Sequence, residues 1–158
     1  MTVHPIAPVF DSQSKILILG SFPSVKSREY GFFYGHPQNR FWRVTAEIFG
    51  CKVPESIEEK RAFLLENHIA LWDVIASCEI VGSSDSSIKD VTPNNISRIL
   101  AVSPIERIFT NGKKAFELYN KYILPEIGVE AQCLPSTSPA NAAWSFEKLV
   151  IEWGKIKL

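Results

Sequence analysis

The sequence predicts an α/β fold, a layered domain built on a parallel sheet, and three observations carry that expectation. Short β-favouring apolar runs alternate along the chain with longer stretches of helical spacing. The run over 16–19, Ile-Leu-Ile-Leu, shows no polar alternation, which is how a strand buried on both faces reads. At 158 residues, 46% of them hydrophobic, the chain fits one globular domain that buries about 70% of its unfolded surface. Strands are expected over 15–19, 69–75, 105–110 and 130–134, four in all, and helices over 40–49, 56–67, 93–101, 112–123 and 142–156. Asn39 stands where an N-cap precedes the first helix, Ser56 with Glu59 makes a capping box for the second, and Gly128 closes the turn after the fourth. The stretch 77–91 is polar, holds five serines and reads as a surface loop.

Composition narrows the function classes. Lys plus Arg equals Asp plus Glu at 17 each, so net charge gives no sign of nucleic acid, and the placement of charge is more telling. Between Gly20 and Ala46 lie Lys26, Arg28, Arg40 and Arg43 against the single acid Glu29, so one side of the domain is expected to be electropositive. Cys51, Cys78 and Cys133 are scattered and odd in number, without a C-x-x-C pair, which argues against a disulfide framework and against a zinc or iron–sulfur site. His4, His36 and His68 lack metal-ligand spacing and read as solvated or core histidines. The first ten residues do not resemble a signal peptide, and no apolar stretch is long enough to span a bilayer. A soluble, intracellular (cytoplasmic) protein is the expectation.

Three segments can carry chemistry, and all follow strands at the carboxyl edge of the sheet, where open α/β folds bind ligands. The first is GSFPS at 20–24, a glycine leaving a buried strand with a proline that stiffens the turn. It is neither a Walker nor a dinucleotide motif, and an ordinary strand-to-loop turn is its plain alternative. The second, 30–42, gathers six aromatic side chains with Gln38, Asn39, His36 and Arg40 into thirteen residues. Flat rings stack on a nucleobase and amides bond its edges, whereas Phe41 and Trp42 read as core and Asn39 as cap and ligand contact together. The third, LPSTSPANAAW at 134–144, carries no charge; its small hydroxyl residues and prolines suit a phosphate or a nucleic-acid strand, or else simply cap a helix.

Together these segments resemble the uracil-DNA glycosylase superfamily, most closely its hypoxanthine-DNA glycosylase branch. GSFPS, YGHPQNRFW at 34–42 and LPSTSPANAAW carry the likeness, and ALWDVI at 70–75 and SSDSSIKDVTPNNI at 83–96 extend it over most of the chain. The resemblance implies a three-layer α/β/α sandwich with a four-stranded parallel sheet, spanning 1–158 as one domain. It also implies a monomer without cofactor, metal or iron–sulfur cluster, acting on DNA that contains a deaminated base. Where the wider superfamily has a water-positioning Asp or Asn before the proline of its first motif, this chain has Phe22. With LPS aligned to the second motif, Leu134 stands where many members have a histidine; with Ser138-Pro139 aligned instead, the register moves by two and Thr137 or Ala140 takes on other roles. Both departures fit the hypoxanthine branch, whose pattern points to Asn39 as the catalytic residue.

Around Asn39, the expected base pocket comprises Gly20, Ser21, Phe22, Phe33, Tyr34 and His36, the last as a candidate proton donor to a purine. Contacts to DNA are expected from Ser24, Lys26 and Arg28 at the first motif, with Arg40 a further candidate. After the third strand they are expected from Asn111, Lys113 and Lys114, and in the last motif from Ser136, Thr137, Ser138, Pro139, Ala140 and Asn141. Asp73 ends an apolar run where a carboxylate can act, its alternative being a cap or a buried hydrogen-bonded group. A glycosylase for uracil or several deaminated bases, and a non-catalytic nucleic-acid-binding module of the same fold, are the competing readings.

Overall fold

The computed structural model describes residues 1–157. In chain order the strands and α-helices are β1 (Thr2–Val3), β2 (Ile16–Gly20), α1 (Val25–Tyr30), α2 (Phe41–Phe49), α3 (Ile57–Glu66), β3 (Ile69–Asp73), β4 (Ile75–Glu79), β5 (Lys89–Pro93), α4 (Ser97–Leu100), β6 (Arg107–Asn111), α5 (Lys113–Tyr122), α6 (Leu124–Ile127), β7 (Ala131–Leu134) and α7 (Phe146–Trp153). The central sheet has the order β3-β2-β6-β7 with every pairing parallel. All five residues of β2 and of β3 are buried, which is why their sequences lack polar alternation. Helices cover the sheet as a three-layer α/β/α domain: α5 packs on β6 and β7, α3 on β3, and α2 lies against α7. Phe41 and Trp153 join those last two helices edge to face at 5.7 Å.

A second sheet was not legible beforehand. β1, β4 and β5 pair antiparallel beside the main sheet, and the ends of the serine-rich stretch 77–91 belong to β4 and β5, while 80–88 between them is the expected surface loop. Irregular register on either side of Ser77 breaks the inside-outside alternation that would have marked a strand. The expected strand 69–75 is two strands separated at Val74, whose N–H bonds Gly20 O at 2.8 Å and carries the chain across the end of β2.

Helix bounds differ for local reasons. Val25–Tyr30, expected as loop, is a helix because Ser24 accepts from the Ser27 N–H and Gly31 at φ 85° ends it. The expected helix 93–101 shrinks to Ser97–Leu100, since Pro93 closes β5 and the Asn94 amide bonds Asp73 O and Ile75 O at 2.9 and 3.1 Å. The last helix starts at Phe146, capped by Ser145, which leaves 142–144 in the preceding turn. The Ser56 capping box is present, and Gly128 at φ 68° closes α6.

Candidate active site

The carboxyl ends of β2, β3 and β6 open into one cavity of about 130 Å³. Its walls come from the loop after β2 (Gly20, Ser21, Phe22, Ser24), from Phe33, Tyr34 and Asn39, and from Asn111 with the loop Ser136–Ser138. Asp73 lines it as well. Three segments distant in sequence therefore meet, because β2 and β6 are adjacent and the loop after β7 folds back over Gly112. That fold-back needs a glycine. Gly112 has φ 95°, its N–H bonds Leu134 O at 2.8 Å, and a Cβ there would lie 3.1 Å from Ser136 Cβ.

The N-cap of α2 is Arg40 rather than Asn39, because Arg40 O accepts the first helical bond, from Val44 N at 2.9 Å, and Asn39 stands one residue earlier. Its Oδ1 accepts the Phe41 N–H at 2.9 Å and the Thr137 hydroxyl at 2.8 Å. Because a backbone N–H can donate only to the amide oxygen, the orientation of the side chain is fixed, and Nδ2 is the end left to the cavity. Asn111 is fixed in the same way. Its Oδ1 accepts the Thr137 N–H at 3.0 Å, so its Nδ2 donates to Thr137 Oγ1 at 3.0 Å. Side-chain donors thus run in one direction, Asn111 to Thr137 to Asn39, and Thr137 is fully buried within the chain of bonds.

The aromatic residues divide. Tyr34 stacks on Phe41 at 4.3 Å, and its hydroxyl, buried and without a hydrogen-bond partner, is held protonated because burial and the nearby Asp73 both raise its pKa far above the ordinary value. Phe33 is buried against Phe32 while still reaching the cavity wall. Phe22 meets the His4 ring edge-on at 5.8 Å, and the Arg28 guanidinium lies 5.6 Å over its ring. Gly20 has no side chain for a reason visible here: a Cβ would collide with Asp73 Oδ1 and lie 3.2 Å from Tyr34 Oη.

Other expected site residues fall outside the cavity lining. His36 is half-buried on the neighbouring loop, accepting the Gln38 N–H at 3.1 Å. The histidine joined to the cavity is instead His4, whose Nε2 lies 2.7 Å from Asp73 Oδ2 in a pair only 3–4% exposed. No spacing signal could have linked residues 69 positions apart. Lys26 is exposed beside Glu29. Arg28 turns inward, bonding Pro23 O at 3.2 Å and Gly82 O at 2.8 Å. Arg40 is likewise turned inward: its guanidinium bonds Trp144 O, Ser138 O at 2.9 Å and Asn141 O at 3.1 Å, where the sequence made it a candidate for phosphate.

Beside the cavity runs a second, wider groove. Lys113, Lys114, Ala140 and Asn141 line it together with Ser136 and Ser138, which border both spaces, while Pro139 is half-buried between them. Asp85, from the turn between β4 and β5, stands at the boundary and accepts the Ser21 hydroxyl at 3.2 Å. Burial raises its pKa, while the Ser21 bond and Lys114 oppose the rise. Among the described residues there is no cluster of three or more His, Cys, Asp or Glu side chains placed to hold a metal, and no helix is long and apolar enough to cross a membrane.

Comparison with known proteins agrees with this geometry. The family model of the uracil DNA glycosylase superfamily matches residues 7–153. A protein of Methanosarcina acetivorans named hypoxanthine DNA glycosylase is 38% identical over 139 residues, 87% of each chain. One of the same name from Methanosarcina barkeri is 37% identical over 136 residues, 85% of each. A solution NMR structure from Methanosarcina acetivorans, described as a candidate uracil DNA glycosylase, superposes with a TM-score of 0.82 at 37% identity, covering 96% of this chain and 93% of that one. With the parallel sheet, the cavity at its carboxyl edge and a match over nearly the whole length, this chain belongs to the uracil DNA glycosylase superfamily.

Proposed function

We propose that the protein is a DNA glycosylase that takes a deaminated base, hypoxanthine above all, into this cavity and hydrolyses its N-glycosidic bond, leaving an abasic site. The observation that carries the reading is the fixed direction of Asn39: its oxygen already accepts two bonds, so it offers the cavity N–H donors and no acceptor. Deamination changes a base in just the complementary sense. Adenine presents an amino donor at position 6 and hypoxanthine a carbonyl acceptor, and the same holds for cytosine and uracil at position 4. A donor-only group therefore favours the deaminated base over its parent. The relatives' names favour hypoxanthine within that class.

Catalysis follows from the same bond. Cleavage leaves negative charge on the departing base and positive charge on the sugar, so a donor aimed at the base edge binds more tightly as charge develops there. Phe22 and Tyr34 supply flat apolar surface for a base turned out of the duplex, and the Lys113 groove lies beside the cavity for the strand that carries it. A single chain serving as its own catalytic unit is part of the reading, with activity located in the cell interior where DNA is.

Single-turnover incubation with duplexes containing deoxyinosine, deoxyuridine or deoxyxanthosine, scored by chromatography of free base, tests the reading. Hypoxanthine should be released fastest and adenine from the undamaged duplex not at all. Asn39→Ala should slow release by about 100- to 1000-fold, the usual effect of losing one oriented donor. Asn39→Asp should be no better than alanine, because it keeps both acceptor roles but presents no N–H. Rapid release by Asn39→Asp, or tight binding without release by the unaltered protein, would overturn the reading.

A further inference from the structure

Hydrolysis also needs a water with somewhere to put its proton, and the polar groups at the cavity narrow the choice. Asn39 offers only donors. Both the hydroxyl of Thr137 and the amide of Asn111 are engaged in the bonds described above, and Ser24 Oγ is held by Ser27. Phe22 has no polar atom, and the Tyr34 hydroxyl stays protonated. Asp85 lies at the mouth on an exposed turn, with Oδ1 already accepting from Ser21. Asp73 remains.

We propose that Asp73 is the catalytic acceptor that holds the attacking water and takes its proton, and that His4 is the residue that positions it; the proposal rests on the glycosylase reading above. Asp73 is the last residue of β3, paired in register with Gly20 at the carboxyl edge of the sheet. Its carboxylate is divided between two tasks. Oδ2 accepts from His4 Nε2 at 2.7 Å, and the tautomer is set by the other ring nitrogen, since His4 Nδ1 accepts the Ile6 N–H at 3.2 Å and the ring proton must then sit on Nε2. Oδ1 makes no hydrogen bond to any of the described residues and lies where Gly20 lacks a side chain. The glycine keeps a passage to that oxygen, and the histidine fixes its direction.

In the step assigned to it, the water oxygen forms a bond to C1′ while the C1′–N9 bond breaks and its electron pair leaves on the purine. One water proton passes to Asp73 Oδ1. The departing base gains its proton from solvent, the carboxyl group returns its own to solvent, and the sum is addition of one water across the glycosidic bond. Asn39 and Asp73 thus act on opposite partners of the reaction, one on the leaving base and the other on the nucleophile.

The test compares Asp73→Asn, His4→Gln and His4→Ala with the unaltered protein. Each is measured for melting temperature, for affinity toward a duplex carrying a non-hydrolysable deoxyinosine analogue, and for single-turnover release of hypoxanthine. Asp73→Asn should bind as the parent does and release base about 100-fold more slowly, the lower end of what a positioned general base contributes. His4→Gln, whose side-chain amide can reach the place of Nε2 and donate to Oδ2, should stay close to the parent rate, with His4→Ala well below it. Release by Asp73→Asn at the parent rate overturns the assignment. Should that variant fail to fold, the His4 pair decides: Gln near the parent with Ala slow supports the proposal, and equal rates for the two overturn it. A parent protein that frees no base from any deaminated duplex overturns the glycosylase reading itself, which is a different result from an active parent matched by Asp73→Asn.

Discussion

Thr137 shows how much of this site depends on residues that need not touch a substrate. Its hydroxyl donates to Asn39 and accepts from Asn111, and its backbone N–H fixes Asn111 in turn, so one buried residue ties two amides together. Thr137→Val keeps the shape but strands the Asn111 amide, which should lower stability by about 1–3 kcal/mol as measured by urea denaturation. Asn39 would keep only its bond to Phe41 N, and the excision rate should fall about tenfold, the factor that 1.4 kcal/mol of lost orientation gives. Thr137→Ser, which retains the hydroxyl, should restore the rate. That Asn39 borders the cavity was legible, because an amide before an aromatic helix in a loop rich in rings reads as a pocket-rim residue. Asn111 and Thr137 were legible only as backbone contacts to DNA, since a hydrogen bond between residues 26 apart leaves no trace in local spacing.

Among the elements, the loop between β7 and α7 owes its shape to one guanidinium. Arg40 lies at the start of α2, yet its fork bonds three carbonyl oxygens of that loop, and its own N–H bonds Thr137 O at 3.1 Å. A lysine is a single point charge and cannot span three acceptors, so Arg40→Lys should cost about 1–3 kcal/mol of stability. Backbone amides at 138–144 should also exchange hydrogen faster than in the parent, while those of β2 and β6 remain protected. Strands β2 and β3 were readable because burial on both faces imposes an unbroken apolar run, as in Ile16–Leu19, whereas the edge strand β7 exposes Gln132 and Cys133. β4 and β5 escaped because they form a small side sheet with irregular register, where Ser77 and Thr92 face each other and no alternation survives. The short helix Val25–Tyr30 escaped for a similar reason: Ser24 caps it, but six residues carry too little periodicity to outweigh the loop-like sequence around them.

At the scale of the whole molecule, neutrality shapes how the protein meets a polyanion. With 17 cationic and 17 anionic side chains, affinity for DNA must come from local placement, and Lys113 with Lys114, which line the groove beside the cavity, are its proposed source. Replacing either lysine by alanine should flatten the dependence of log affinity on log salt by about 0.9, one phosphate contact each, with little change in the rate of base release once DNA is saturating. Titration by fluorescence anisotropy at several salt concentrations, followed by single-turnover kinetics at the same salts, separates the two effects. The loss of one lysine leaving the slope unchanged would place the DNA elsewhere. The one-way run of donors into Asn39 gives that separation its reason. Two hydrogen bonds received by an amide oxygen draw electron density along the C–N bond, and each link in such a chain strengthens the next. The nitrogen that faces the cavity is thereby made more positive without bearing a formal charge, so the chain delivers polarisation where a cation would otherwise be required, and counterions have nothing there to screen.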